Sequence, residues 1–255
     1  MRPERDPDPD WVAALSGRDP TDCLRRIEEA QRETQLFAHL RREHEREGRE
    51  SYIEIDAPLE IYAIGRLLRP EHVVEVGVSS GVSSAYLLRA LERNGLGTLH
   101  SVDLPSRPRR PGGPERPGGA SWSLPPGRAS GWAVPFPLRK RWDLRLGDKA
   151  DVLPLLAREL PRIDLLVYDV PHDDRTSRGE FRGLDPLVRA GGVAIVDHGP
   201  RGGLCPALKG WAQDRGARAV RRRGLGLYGM RARRRPRSAR PAAAPRGFRP
   251  AAPGP

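Results

Sequence analysis

The sequence predicts an α/β protein built on a doubly wound, mostly parallel seven-stranded sheet, with helices on both faces and a C-terminal antiparallel hairpin. Three observations predict this fold. Short apolar runs alternate with helical stretches between residues 71 and 230, which is the pattern of a parallel sheet. The first run leads into a turn of small residues, Gly77–Gly81, that opens onto a helix. The last two runs, Ala217–Arg222 and Gly224–Met230, meet at a turn containing glycine, which indicates a hairpin.

Changes in composition divide the 255-residue chain into regions. Residues 1–20 are charged and rich in Pro and Asp, which predicts a disordered N-terminus. A helical cap is expected over 21–70 and the core over 71–232, followed by a disordered Arg/Pro/Ala tail at 233–255. Within the core, residues 105–137 form a Pro/Gly-rich insertion that is too long for an ordinary loop. We interpret this insertion as a lid that orders with substrate.

Each element follows from its local pattern. In the cap, apolar residues at helical spacing predict one helix over 21–47 and a second over 58–68. His39 and His44, on the charged first helix, are expected to be surface residues. Five strands are expected at Val73–Val76, Gly97–Val102, Trp142–Leu146, Ile163–Tyr168 and Val193–Val196. The intervening helices are expected at Ser83–Arg93, Ala150–Glu159, Arg178–Val188 and Cys205–Arg215.

The formal net charge of +12 is concentrated at the C-terminal end. From Arg221 to Pro255 there are 11 arginines and no acidic residue, so 12 − 11 leaves +1 for the rest of the chain. We interpret the tail as a solvated extension, and the alternative is an electrostatic clamp for RNA, DNA or anionic lipid. Cys23 and Cys205 fit no metal or redox spacing, and no apolar stretch approaches the ~20 residues that span a bilayer. These features favour a cytoplasmic protein without a membrane anchor.

Acidic residues stand at or near the carboxyl ends of all five parallel strands, where an open α/β sheet binds its ligands. They are Glu75, Asp103, Asp148, Asp169 and Asp197. Asp103, directly after the second strand, is placed to take a ribose diol. A single acid of this kind is usually a helix cap or turn residue. Five at successive strand ends predict a nucleotide-type binding site.

The run E-V-G-V-S-S-G-V-S at residues 75–83 resembles the first motif of class I S-adenosylmethionine-dependent methyltransferases, and it looks most like the branch that includes catechol O-methyltransferase. Ser79 stands where that motif has its middle glycine. The phrase G-W-A-V-P at 131–135 resembles a bacterial subgroup of the same enzymes. The resemblance covers roughly residues 50–230 and implies a Rossmann-like fold. It extends to the adenine, fourth-strand and fifth-strand motifs at 147–154 (G-D-K-A-D-V-L-P), 165–169 (L-L-V-Y-D) and 191–198 (G-G-V-A-I-V-D-H).

Carried over residue by residue, the resemblance implies a binding site for S-adenosylmethionine. Asp103 would take the ribose hydroxyls, while Asp148 and Lys149 would border the adenine. Asp169 would lie near the sulfonium and the methyl acceptor. The methionine end of the cofactor would be held by Glu75, Gly77, Ser79, Gly81 and Ser83.

Two routes to activation of the acceptor stay open. In the first, a divalent metal such as Mg²⁺ or Mn²⁺, bound by Asp169, Asp197 and His198, lowers the pKa of an acceptor hydroxyl. The two aspartates are 28 residues apart, as the family's metal pattern expects, although His198 stands where the family has Asp or Asn. In the second, His172 removes the proton as a general base.

The chain is therefore expected to be a methyltransferase that acts on an oxygen of a small-molecule acceptor. One alternative is an RNA or DNA methyltransferase that uses the basic tail. Another is a regulatory protein that binds the cofactor without catalysis. The oligomeric state stays open, a homodimer among the alternatives. An NAD-dependent enzyme is disfavoured because the turn lacks G-x-G-x-x-G spacing.

Overall fold

The computed structural model describes most of the chain. It covers residues 6–47, 57–105, 124–125, 127–170, 174–197 and 206–233, and only the backbone of residues 174–177. Several sequence predictions therefore fall outside the described residues. These are the two histidines His172 and His198, the thiol of Cys205, most of the expected lid and the basic tail from residue 234 onward.

Helices and strands alternate through the core as the sequence predicts. The helices are α1 (Pro9–Ser16), α2 (Pro20–Gln31), α3 (Thr34–Arg46), α4 (Pro58–Leu68), α5 (Val82–Asn94), α6 (Lys149–Glu159), α7 (Asp174–Leu184) and α8 (Pro206–Asp214). The strands are β1 (His72–Val76), β2 (Thr98–Asp103), β3 (Trp142–Leu146), β4 (Ile163–Tyr168), β5 (Val188–Asp197), β6 (Ala219–Arg221) and β7 (Leu227–Arg231). A short 3₁₀ helix, Phe136–Arg141, leads into β3.

The strands form one sheet in the order β3-β2-β1-β4-β5-β7-β6. Strands β1 to β5 are parallel, and β7 runs antiparallel to both β5 and β6. This confirms the seven-stranded doubly wound sheet and its closing hairpin. Because the chain winds in opposite directions from β1 and from β4, the carboxyl ends of these two strands flank the crevice where such sheets bind ligands.

Apolar side chains cover both faces of the sheet, as expected of a parallel sheet between two layers of helices. In β1, Val73 packs into a cluster with residues of α1 to α5. Its neighbours Val74 and Val76 point the opposite way and pack with α6, α7 and α8. The N-terminal helices are therefore one of the two layers that bury the sheet. No helix among the described residues has the length and apolar character needed to cross a membrane.

The predicted disorder of residues 1–20 is wrong for Pro9–Ser16, which form α1. Asp8 caps this helix by accepting a hydrogen bond from the Trp11 N–H (3.1 Å). The Trp11 ring is buried, and its indole N–H donates to the Val220 carbonyl of β6 (3.1 Å). This hydrogen bond joins residues that are 209 positions apart along the chain, so local composition carried no sign of it.

The single helix predicted over 21–47 is also wrong, because α2 ends at Gln31 and α3 begins at Thr34. Glu33, between the two helices, has its carboxylate buried against α5. Arg89 and Arg93 each donate to it at 2.7 Å. Burial alone would raise the pKa of Glu33, but the two guanidiniums lower it below its usual range. Glu33, at the break between the two helices, therefore fixes the N-terminal layer to α5 through ion pairs with both arginines.

Two further boundaries differ from the sequence prediction around β5. The helix expected at Arg178–Val188 is α7 and lies four residues earlier. Strand β5 begins at Val188 and runs through Gly191, whose positive φ of 83° accompanies a shift of register against β4. Gly191 and Gly192, which were expected to precede the strand, therefore lie within it. Glycine readily adopts the positive φ that this irregularity requires.

Candidate cofactor site

The turn after β1 lies between the ends of β2 and β4. The Gly77 N–H donates to the Val102 carbonyl of β2 (2.9 Å), and the Asp169 N–H donates to the Val76 carbonyl (2.8 Å). Gly77 has a φ of 93°, and a Cβ on it would lie 1.9 Å from the Asp169 carbonyl oxygen. Only glycine therefore allows the turn to approach the end of β4 so closely.

Ser79 keeps the backbone conformation of the glycine that it replaces in the motif. Its φ is 52°, in the left-handed region, which costs a non-glycine residue about 1–2 kcal/mol. The Ser79 N–H donates to the Asp103 carboxylate (3.1 Å), so the turn and the predicted ribose ligand are joined directly. The strain at Ser79 must be offset by contacts elsewhere in the structure.

The G-W-A-V-P segment packs on the outer side of this turn. The Gly131 N–H donates to the Ser79 carbonyl (2.8 Å), and the Ala133 N–H donates to the Ser80 carbonyl (3.0 Å). A Cβ on Gly81 would lie 2.5 Å from a methyl group of Val134. Gly81, predicted as a cofactor-binding residue, is therefore also needed for the packing of this segment.

Glu75 is completely buried beneath the turn. Its carboxylate accepts hydrogen bonds from Ser83 Oγ (2.7 Å), Ser84 Oγ (2.6 Å) and Ser101 Oγ (2.7 Å). Burial raises the pKa of the Glu75 carboxyl. Both Glu75 and Ser83 were expected to hold the methionine end of the cofactor, and the structure places them in a network that supports the turn from within.

Two members of this network were missed from the sequence. Ser84 donates from the first turn of α5, and Ser101 donates from the middle of β2. Ser101 in turn accepts a hydrogen bond from the Trp142 indole N–H (2.8 Å). A polar residue within an apolar strand was the available signal for Ser101, since such a side chain needs a buried partner.

Asp103 lies half-buried at the end of β2, where the sequence predicts the ribose ligand. One carboxylate oxygen accepts from the Leu104 N–H (2.9 Å) and the other from Ser79. Leu104 and Leu146, at neighbouring strand ends, are 50% and 49% exposed. Two exposed leucines beside a carboxylate form a surface that suits a purine attached to a ribose. Neither leucine was predicted from the sequence as a site residue.

The two residues expected at the adenine behave differently. Asp148 is exposed and caps α6 by accepting a hydrogen bond from the Ala150 N–H (2.9 Å). The Lys149 ammonium instead turns toward α7, where it contacts the Tyr168 hydroxyl (2.6 Å) and the Glu180 carboxylate (2.9 Å). Lys149 therefore stabilises the packing of α6, β4 and α7, which the sequence did not indicate.

The two predicted aspartate ligands lie at adjacent strand ends. Tyr168 of β4 pairs with Val196 of β5, and Asp169 and Asp197 are the next residues. Both are half-buried. Carboxylates in this arrangement suit a hard divalent cation. Within the part of the chain that the structure describes, no group of three metal-binding side chains is found, and the third predicted ligand, His198, lies outside that part.

Replacing Gly77 by alanine should destabilise the fold by more than 3 kcal/mol, because the added methyl group meets a backbone carbonyl in a conformation that already disfavours alanine. Urea denaturation followed by circular dichroism measures the change. Gly95→Ala is the matched control, since Gly95 also has a positive φ (72°) but no atom within 4 Å of the added Cβ. It should cost only about 1 kcal/mol. Equal losses in the two variants would contradict the close-approach explanation.

Glu75 should make the stability of the protein depend on pH. Its ordinary pKa is 4.5, and the raised pKa means that the folded state binds its proton more tightly than the unfolded state does. The stability contributed by that proton is full below pH 4.5 and is lost as the pH rises through the folded-state pKa. Glu75→Gln removes this dependence, so the variant should gain stability relative to wild type between pH 5 and pH 8.

Urea denaturation of the wild type and of Glu75→Gln, each at pH 5 and at pH 8, tests this expectation. Glu28→Gln, at an exposed position of α2, serves as the control for the loss of one carboxylate. If the difference in unfolding free energy between wild type and Glu75→Gln does not change with pH, the buried carboxyl is not the source of the pH dependence.

Residues 74–198 match the family model described as a methyltransferase domain. Among solved structures, the chain is similar to a putative O-methyltransferase from Klebsiella pneumoniae (18% identity, 78% of this chain and 89% of that chain, TM-score 0.51). It is also similar to an O-methyltransferase from Streptomyces achromogenes that is involved in tomaymycin synthesis and was solved in complex with S-adenosylmethionine (16% identity, 78% and 89%, TM-score 0.51).

A methyltransferase from Geobacter sulfurreducens has the same fold (14% identity, 78% of this chain and 88% of that chain, TM-score 0.51). A search of curated proteins gives no match. The matched residues include the glycine-serine turn and the acids at the strand ends, from Glu75 to Asp197. The chain therefore has the α/β Rossmann-like methyltransferase fold, with a methyltransferase domain matched over residues 74–198.

Proposed function

We propose that this enzyme transfers the methyl group of S-adenosylmethionine to an oxygen atom of a small-molecule acceptor. The observation that carries the proposal is the position of Asp169. Its backbone N–H donates to the Val76 carbonyl, directly before the Gly77–Gly81 turn that we call the cofactor turn, and Asp197 stands at the next strand end. A pair of carboxylates beside the methyl donor is suited to orient and activate a hydroxyl group.

The residues of the site fit the cofactor. Asp103 would accept hydrogen bonds from the ribose hydroxyls, and Leu104 and Leu146 would pack on the adenine. Asp148 would border the adenine with its exposed carboxylate. The turn from Gly77 to Gly81 would receive the methionine end, while buried Glu75 supports the turn from below. A cofactor that carries a positive sulfur and an ammonium group is attracted to such an acidic site.

The bound cofactor supplies an electrophilic methyl group, and the protein must hold the acceptor oxygen in line with it. Asp169 would accept a hydrogen bond from the acceptor hydroxyl and hold its oxygen toward the methyl group. If a divalent cation is held by Asp169, Asp197 and His198, it would lower the pKa of that hydroxyl. In the other route, His172 takes the hydroxyl proton directly.

The contacts of two arginines favour a small molecule over a nucleic acid as the acceptor. Arg222 is buried and pairs with Glu60 (2.7 Å), and Arg223 pairs with Asp8 (3.0 Å) and Asp10 (3.1 Å). Part of the basic charge near the C-terminal end is therefore neutralised by acidic groups of the N-terminal layer. These arginines connect the hairpin to acidic residues of the same chain, a structural role that does not involve a nucleic acid.

Calorimetry with S-adenosylhomocysteine, S-adenosylmethionine and NAD tests the cofactor site. We expect both sulfur ligands to bind and NAD not to bind. Asp103→Asn should weaken binding of S-adenosylhomocysteine about tenfold, because a hydrogen bond to a charged group is replaced by a weaker one. Asp151→Asn, the same change on the exposed face of α6, should leave the affinity unchanged. Failure of the wild-type protein to bind either sulfur ligand would refute the proposed cofactor site.

A screen of phenolic and other hydroxylated acceptors, with labelled S-adenosylmethionine as the donor, tests the reaction. Asp169→Asn should lower the rate at least a hundredfold on either route. If the metal route operates, EDTA and Asp197→Asn should each abolish activity. If His172 is the base, these two changes should have little effect and His172→Ala should abolish activity. Methyl transfer that survives all four changes would contradict the proposed roles, and transfer to RNA alone would point to the alternative substrate class.

A further inference from the structure

The outer side of the cofactor turn is contacted by a residue from the N-terminal layer. His44 of α3 has its Nδ1 atom 2.7 Å from the Leu40 carbonyl, and its Nε2 atom 3.0 Å from Ser80 Oγ. A carbonyl only accepts, so Nδ1 carries a proton and donates to Leu40, while Nε2 and the Ser80 hydroxyl form the second hydrogen bond of the ring. Ser80 is completely buried, in the middle of the turn.

The imidazole is itself held in place by its neighbours. The His44 ring lies 5.2 Å from the Trp132 ring, measured between centroids. The Arg128 guanidinium lies 5.0 Å from the Trp132 ring centroid and pairs with Glu47 at the end of α3 (2.6 Å). The helix and the G-W-A-V-P segment therefore contact each other as well as the turn.

The turn needs such support because of its sequence. Ser79 is in a left-handed conformation, and a non-glycine residue stays in such a conformation only when its surroundings fix it. The carbonyl groups of Ser79 and Ser80 accept from Gly131 and Ala133, and the Ser80 side chain is bonded to His44. These three contacts hold the strained residue and the one that follows it.

We propose that His44 is a positioning residue, which keeps the Ser79–Gly81 turn in the conformation that receives the cofactor through its hydrogen bond to Ser80. The inference rests on the proposed cofactor site. It means that affinity for the cofactor depends on a helix outside residues 74–198, the segment that matches the methyltransferase domain. Because coupling is reciprocal, cofactor binding also stabilises the contact between α3 and the turn.

Calorimetric titration with S-adenosylhomocysteine tests this role. His44→Ala and Ser80→Ala should each weaken binding three- to tenfold, and the double variant should be no weaker than the worse single variant, since both remove the same hydrogen bond. Arg41→Ala is the control. Arg41 lies on the same helix, is exposed and pairs with Glu45 (2.6 Å), so its loss should change the affinity less than twofold.

A second substitution separates positioning from general loss of packing. Ser79→Gly removes the strain that the contacts offset, so it should restore most of the affinity lost in His44→Ala while changing the affinity of the wild type little. Ser80→Ala removes a single oxygen atom and keeps the test available if His44→Ala fails to fold. Unchanged affinity in both single variants, a loss as large in Arg41→Ala, or a loss that Ser79→Gly does not recover would overturn the inference. Absence of binding to the wild-type protein would instead refute the proposed cofactor site.

Discussion

The buried carboxylate of Glu75 is the constraint on which the site depends. A polar group removed from water must have its hydrogen bonds supplied by the protein, and here the donors are the hydroxyls of Ser83, Ser84 and Ser101. Two of these belong to the start of α5 and one to β2, and the Trp142 indole of β3 continues the network through Ser101. The end of β1, the helix that follows it and the neighbouring strands are thus held in one arrangement because one carboxylate needs them there.

The outer side of the turn is held by a different part of the chain. Contacts from α3 and from the segment around Gly131 meet the turn where Ser79 departs from the ordinary backbone regions. The α3 helix is in turn fixed to α5 through Glu33, and α4 is fixed to the hairpin through the pair of Glu60 and Arg222. The motif at residues 75–83 therefore does not hold its turn alone, because α3 and the segment around Gly131 supply further support.

The sequence predicted β3 and β4 to the residue and β1 to within one residue, because buried parallel strands are continuous apolar runs that need no knowledge of their partners. It failed where the outcome depends on a distant partner. Trp11 is hydrogen-bonded to β6, and the half-buried His44 is hydrogen-bonded to Ser80. Lys149 points away from the strand ends because it pairs with Glu180. Local pattern gives the position of an acid such as Asp103 at a strand end, but the direction of a side chain is decided by groups far along the chain.

The acidic character of the site has a consequence for the proposed reaction. Carboxylates near the sulfonium stabilise the cofactor before transfer, when the sulfur is positive, more than after transfer, when it is neutral. This difference favours binding of the donor and release of the product, yet it does not lower the barrier, since a group that stabilises the ground state more than the transition state adds nothing to the rate. The rate must therefore come from the acceptor side, from alignment and from removal of the hydroxyl proton. In the proposed mechanism Asp169 and Asp197 would act on that side, so the identity of the acceptor and the role of Asp169 have to be sought in the same experiment.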